Sequence, residues 1–204
     1  MLTKERFAAK IFQHLTWYFP GRENELFLTF DDGPTPEVTP WVLSVLKAYN
    51  ARATFFCLGK KVEQYPGLFQ QIKDEGHAVG NHSYSHPSGW KTKNREYYKD
   101  IHKASELIHS KLFRPPYGEI TLKQIKPLKN TYHIVMWDVL SYDYHPGVSP
   151  QKCLKNVLKK TTSGSVIVFH DKEKASVNLH YVLPEILKYY TEQGFVFRPI
   201  DFTA

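Results

Sequence analysis

No stretch of the chain approaches the roughly 18 consecutive apolar residues that a membrane-spanning helix requires, which excludes a helical protein embedded in a bilayer. Cysteine is nearly absent. Cys57 and Cys153 are too few for a disulfide scaffold and lack the paired spacing of a zinc ribbon, so buried thiols are the expectation. Low-complexity tracts and internal repeats are missing, which excludes linker-like and solenoid chains. The chain carries 27 Lys and Arg against 20 Asp and Glu, a net +7, but no nucleic-acid-binding motif accompanies that charge. Lys123, Lys126 and Lys129 recur at helical spacing, as the residues of a solvated face do. A secretory apolar core is also missing at the start, which points to the cytoplasm and leaves association with the cell envelope open.

What is present is the composition of one ordered domain, 204 residues long with 42% hydrophobic and 15% aromatic residues. Within residues 1–25, Lys4, Glu5, Arg6 and Lys10 alternate with Phe7, Ile11, Phe12 and Leu15, predicting an amphipathic helix packed on a domain of residues 26–204. From Leu26 onward strand and helix signals take turns. The pattern predicts about seven strands: Leu26 to Phe30, Ala53 to Leu58, His77 to Gly80, Leu112 to Arg114, Tyr132 to Trp137, Val166 to Phe169 and Phe195 to Phe197. Helices are predicted after a Thr39 cap with Pro40 in the first turn, over Leu68 to Glu75 with a stop at Gly76, and after an Asn94 cap. Three more cover Thr121 to Leu128, Pro150 to Lys160 and His180 to Gln193. This alternation predicts an α/β protein with a parallel sheet, either an open doubly wound sheet or a closed barrel.

The positions of the ionisable residues carry more than their identities. Asp31 and Asp32 follow the first strand, His82 and His86 the third, Arg114 and Tyr117 the fourth, Asp138 and Asp143 the fifth, and His170 the sixth. In parallel α/β proteins active sites are assembled at the C-terminal ends of strands, from several loops at once. Two histidines four apart, completed by an aspartate from another strand end, suit a divalent metal with a position open for water, with zinc the default ion. By spacing alone the same histidines fit local backbone contacts. Asp31 and Asp32 could divide the tasks of base and metal ligand, or form an Asp-rich turn before Gly33 and Pro34. Adjacent carboxylates need a cation to stay ionised together, and a metal together with Arg114 could supply it. His170 could be a core histidine or, beside a carboxylate such as Asp143, a protonated acid.

Together these motifs resemble the polysaccharide deacetylases of carbohydrate esterase family four, the NodB-type domain, from about Leu26 to Phe197 and in the family's order. The resemblance implies an irregular (β/α) barrel and the removal of N-acetyl groups from sugars in a glycan such as peptidoglycan or a chitin-like oligomer. It implies Asp31 as general base, and Asp32, His82 and His86 as ligands of Zn2+ or another divalent transition metal such as Co2+. Arg114 would orient Asp31, the Tyr117 backbone N–H would bind the oxyanion, and His170, tuned by Asp143, would be the general acid. The family's D-x-x-D-W reads Leu140-Ser141-Tyr142-Asp143-Tyr144, and Val168 stands for the leucine of L-x-H. Tyr144 and Val168 therefore change the apolar wall that should receive the acetyl methyl, and with Tyr117 they are the expected substrate contacts. Two rival readings are a hydrolase of a small cyclic amide or ureide on the same fold, and a glycan-binding domain using Trp90, Tyr117 and Tyr144 as platforms. The expected partner is an N-acetylated carbohydrate, not nucleic acid, and the oligomeric state is left open.

Overall fold

The run Leu26-Phe27-Leu28-Thr29-Phe30 has no polar alternation, the pattern of a strand covered on both faces. The computed structural model describes residues 4–202 and places this run at the centre of the molecule. In chain order the first elements are α1 (Lys4–Ile11), β1 (Leu15–Thr16), β2 (Glu25–Asp31), α2 (Thr39–Ala48), β3 (Thr54–Cys57), α3 (Gly59–Gln64), α4 (Pro66–Asp74) and β4 (Ala78–Asn81). Next come α5 (Asn94–Ile108), β5 (Leu112–Phe113), α6 (Leu122–Leu128), β6 (His133–Val135) and β7 (Val139–Leu140). The last are α7 (Pro150–Lys160), β8 (Val166–His170), α8 (Ser176–Glu192) and β9 (Val196–Phe197). The strands run β1-β6-β5-β4-β3-β2-β8-β7, every neighbouring pair is parallel, and β9 pairs off this path with the start of β2.

Strand alternation sorts β2 into two faces. Leu26, Leu28 and Phe30 point to the helices and pack with Val42, Leu43 and Leu46 of α2 and Leu179, Leu183 and Ile186 of α8. Phe30 stacks between Phe55 and Phe169, with ring centroids 5.0 and 6.1 Å away. Phe27 faces the other way, into a cluster with Phe56, Val135, Val166 and Ile200. Thr29 and Asp31 share its parity, so alternation alone sends Asp31 into the barrel mouth.

The barrel is irregular because, among the described residues, no ladder joins β1 to β7. Polar side chains work at that break. Asp138, in the link between β6 and β7, is fully buried. It accepts hydrogen bonds from Arg6 Nε (2.9 Å), Ser165 Oγ (3.0 Å) and the Val166 N–H (2.9 Å). α1 is therefore fastened through Arg6, whereas Phe7 and Ile11 are 61% and 62% exposed.

All seven predicted strands are present, and the structure adds two. β1 lies where an N-terminal helix is expected: the helix stops at Ile11, and Leu15 and Thr16 pair with β6 instead. β7, like β1, has two residues, too few to show any periodicity. α3 is a further addition, and α8 begins at Ser176, four residues before the predicted start. Thr39 and Asn94 are not caps. The Thr39 hydroxyl accepts the Thr35 N–H and donates to Asp171, and Asn94 Oδ1 accepts from Gln124 Nε2. Met1 to Thr3 fall outside the described residues. Cys57 and Cys153 are buried free thiols, and no described helix is long and apolar enough to cross a membrane.

Arg6→Ala would leave the buried Asp138 carboxylate without its counter-charge. It is expected to lower the unfolding free energy by about 1–3 kcal/mol, and the double change with Asp138→Asn to recover part of that loss. Urea unfolding checks both, and an unchanged midpoint in the single variant would refute the role given to this pair.

Candidate active site

β5 ends at Phe113, and the next residue, Arg114, turns a completely buried side chain into the barrel. A buried guanidinium must find acceptors for its fixed fork of donors. Nη1 donates to Thr29 Oγ1 (2.7 Å) and Asp31 Oδ1 (2.8 Å), Nη2 to the Met136 carbonyl (2.9 Å) and Nε to the Val135 carbonyl (3.2 Å). The Phe56 ring lies against it, 4.1 Å from centroid to guanidinium carbon. Asp31 is thereby held at the end of β2, in register with His170 on the adjacent strand β8.

The next residue takes a different course. Asp32 has φ 79°, which swings its carboxylate away from that of Asp31 toward the loop after β4. That loop is not helical. Ser83 and His86 have φ of 68° and 66°, the Ser83 N–H donates to Asn81 Oδ1 (2.7 Å), and the His86 N–H donates to Ser83 Oγ (3.0 Å). Asp100 of α5 accepts the Tyr84 and Ser85 N–H groups and holds the middle of the segment. The result presents His86 Nε2 and His82 Nε2 to Asp32 Oδ1 at 3.1 and 3.6 Å.

Each of Asp32, His82 and His86 offers a ligand atom, all within 4.8 Å of one another. His82 Nδ1 lies 2.8 Å from the Arg114 carbonyl, which leaves Nε2 with its lone pair free. Burial pushes the His82 imidazole down to about 4, so it is neutral at physiological pH, as a ligand must be. Burial would raise the Asp32 carboxyl, but the His86 contact and the surrounding imidazoles hold it well below the usual carboxylate range. Asp32 Oδ1 is buried without a hydrogen-bond partner. An orphaned carboxylate oxygen facing two imidazole nitrogens fits a divalent metal ion.

On the other side of Asp31, His170 Nδ1 is 2.8 Å from Asp143 Oδ1, and its backbone N–H donates to Asp143 Oδ2 (2.7 Å). Burial would lower the imidazole, but the charge and hydrogen bond of Asp143, with the charges of Asp31 and Asp32, raise it above its ordinary value. Tyr144 stands edge-on to the His170 ring at 4.7 Å, and Tyr117 edge-on to His86 at 4.4 Å. Tyr117 sits in the single turn Pro116–Gly118 with φ 60° and is 64% exposed at the mouth.

These groups surround one cavity of about 610 Å3. Asp31, Asp32, His82, His86, Tyr117, Tyr144, Val168 and His170 line it, with Arg114 and Asp143 directly behind Asp31 and His170. Asp138 belongs elsewhere, at the barrel break, because it precedes β7 and bonds to the start of β8. Trp90 is also outside the cavity lining, 66% exposed with its indole N–H donating to the Ile120 carbonyl. Trp137 and Leu140 complete the apolar wall.

Two polar neighbours belong to none of the sequence motifs. Asp171 is buried, accepts the Gly33 N–H (3.1 Å) and the Thr39 hydroxyl (2.5 Å), and thus clamps the turn after Asp32. Burial pushes its carboxyl up to about 7. A Cβ on Gly33 would lie 2.0 Å from Asp171 Oδ2, so only glycine fits. Lys172 donates to Asp32 Oδ2. The acid directly after His170 was the available signal for Asp171; Lys172 is one of many lysines and had none.

The family model for polysaccharide deacetylase matches residues 20–133, more than half of the chain. Two peptidoglycan-N-acetylglucosamine deacetylases of Bacillus cereus are 42% identical over 158 residues and 33% identical over 202 residues. The first alignment covers 74% of this chain and 57% of that relative, the second 92% of each. The chain thus spans a little over half of the first relative's length. A crystal structure of a peptidoglycan N-acetylglucosamine deacetylase in complex with 4-naphthalen-1-yl-N-oxidanyl-benzamide superposes with a TM-score of 0.88 at 35% identity, covering 94% of each chain. The family 4 carbohydrate esterase from Streptomyces lividans in complex with acetate gives 0.77 at 31% identity, covering 87% of this chain and 93% of that one. With the motifs at the strand ends, the family match and the shared fold in agreement, the chain belongs to the polysaccharide deacetylase family.

Proposed function

We propose that the protein is a metal-dependent hydrolase that removes N-acetyl groups from N-acetylated sugars of a glycan. The observation that carries this reading is one cavity in which a fixed carboxylate, Asp31, and an Asp-paired imidazole, His170, flank the Asp32, His82 and His86 group. Relatives named for peptidoglycan N-acetylglucosamine, peptidoglycan N-acetylmuramic acid and chitooligosaccharides support peptidoglycan and chitin-like oligomers as the proposed substrates.

Hydrolysis of the acetamide needs a base for the attacking water, donors for the oxyanion and an acid for the departing amine. Asp31 is the base: Arg114 takes Oδ1, which leaves Oδ2 to accept the proton of a water approaching the carbonyl carbon. The Tyr117 N–H, at the mouth, is the donor for the tetrahedral oxyanion. His170, kept protonated by Asp143, gives its proton to the sugar nitrogen as the C–N bond breaks, and acetate and a free amine result. Asp32, His82 and His86 would hold Zn2+, or Co2+ as another ion accepted by this donor set, which when bound supplies Lewis acidity to water and carbonyl. Val168, Leu140, Trp137 and Tyr144 form the apolar surface that takes the acetyl methyl and excludes bulk water.

Acetate release from N-acetylglucosamine oligomers and from peptidoglycan, with zinc added and with the metal chelated, tests the reaction. Release is expected only with metal, and release unaffected by chelation would overturn the reading. Asp31→Asn is expected to lower kcat by about 100-fold to 10,000-fold with metal content unchanged. Near wild-type turnover in that variant would remove Asp31 from the role of base.

The acid must be protonated to act, so the rate falls as pH rises through the His170 pKa. Asp143 raises that pKa, and Asp143→Asn is therefore expected to move the alkaline limb of the kcat profile to lower pH. A limb that stays in place would show that His170 does not control it.

A further inference from the structure

Lys172 lies two residues beyond His170, just after β8, with its side chain 28% exposed and lining the same cavity. Its Nζ donates to Asp32 Oδ2 and stands 5.6 Å from the centroid of the Tyr144 ring. The two oxygens of Asp32 are therefore divided. Oδ2 belongs to the ammonium, and Oδ1, buried and without a hydrogen-bond partner, faces the Nε2 atoms of His86 and His82. Groups that hydrogen-bond a metal-ligating carboxylate fix its orientation and its donor strength. An ammonium does this with a charge of the wrong sign for holding a cation nearby, and the partial burial of the pair limits screening by salt.

We propose that Lys172 is a positioning residue that confines Asp32 to one-oxygen coordination and weakens the hold of the Asp32, His82 and His86 group on a divalent cation. The proposal rests on the reading that these three residues bind such an ion. With Lys172 in place, Asp32 offers a single oxygen whose negative charge is shared with the ammonium. Without it, both oxygens are free to turn toward the imidazoles, and the repulsion between two cations on one carboxylate is gone.

Zinc affinity measured by competition with a chromophoric chelator, on the wild type, Lys172→Met and Lys172→Arg, tests this without recourse to turnover. Lys172→Met is expected to bind zinc at least tenfold more tightly. Its cobalt-loaded form is expected to show a weaker visible d–d band as the coordination number rises. Lys172→Arg, which keeps the charge, is expected to stay close to wild type in both. A Lys172→Met protein with wild-type or weaker zinc affinity would overturn the proposal. Lys172→Gln carries the same expectation should the methionine variant fail to fold. A wild-type protein that takes up neither zinc nor cobalt would instead overturn the metal-site reading itself.

Discussion

A guanidinium with no solvent exposure holds the site together. Removing such a charge from water is costly unless acceptors match it, and Arg114 finds them on β2, at the end of β6 and just beyond it. Its own backbone joins the same network, with the N–H donating to the Asn81 carbonyl and the carbonyl facing His82 Nδ1. One residue thus ties the proposed base to a proposed metal ligand through a rigid unit. The Phe56 ring packed against it keeps water out, so the ion pair with Asp31 acts in a medium of low dielectric.

The same constraint resolves the difficulty of two adjacent carboxylates. Asp31 is spent on Arg114, while the left-handed backbone at Asp32 turns the second carboxylate toward the imidazoles and Lys172. Neither competes for the other's cation. Asp171 maintains this arrangement from behind, because its carboxylate fills the space that any side chain at Gly33 would need. The proposed acid and base then face one another across the β2–β8 pair, where parallel register sets Asp31 opposite His170.

The departures from the family's fourth motif remove its first aspartate, where Leu140 stands, and alter the wall, but they keep the aspartate that meets His170. Asp143 keeps both contacts to His170, and Asn178 Nδ2 supports the Asp143 carbonyl from α8. Tyr144 occupies the side of His170 as an edge-on ring, and Trp137, from the preceding link, faces the same cavity. The wall proposed to receive the acetyl methyl keeps aromatic character through Trp137 and Tyr144.

Much of this was legible in the sequence, for physical reasons. The unbroken apolar run of β2 marked a central strand, and the ionisable residues at or directly after the ends of β2, β4, β5 and β8 marked the face where a parallel barrel gathers its site. Asp31, Asp32, His82, His86, Arg114 and His170 could be named because the motifs that carry the family resemblance are local in the chain. What could not be read locally was decided by packing. The two-residue strands β1 and β7 exist only because neighbouring strands β6 and β8 pair with them, and Asp138, placed by chain position among the site residues, is drawn to Arg6 at the barrel break. Thr39 and Asn94 gave up helix capping because Asp171 and Gln124, 132 and 30 residues away, offered buried and part-buried hydrogen bonds. The division of labour within Asp32, one oxygen for an ammonium and one for the imidazoles, needed three loops in one place. The sequence determined which groups are proposed to carry the chemistry, and the tertiary structure determined which charge each of them answers to, because electrostatic partnership depends on distance in space and not along the chain.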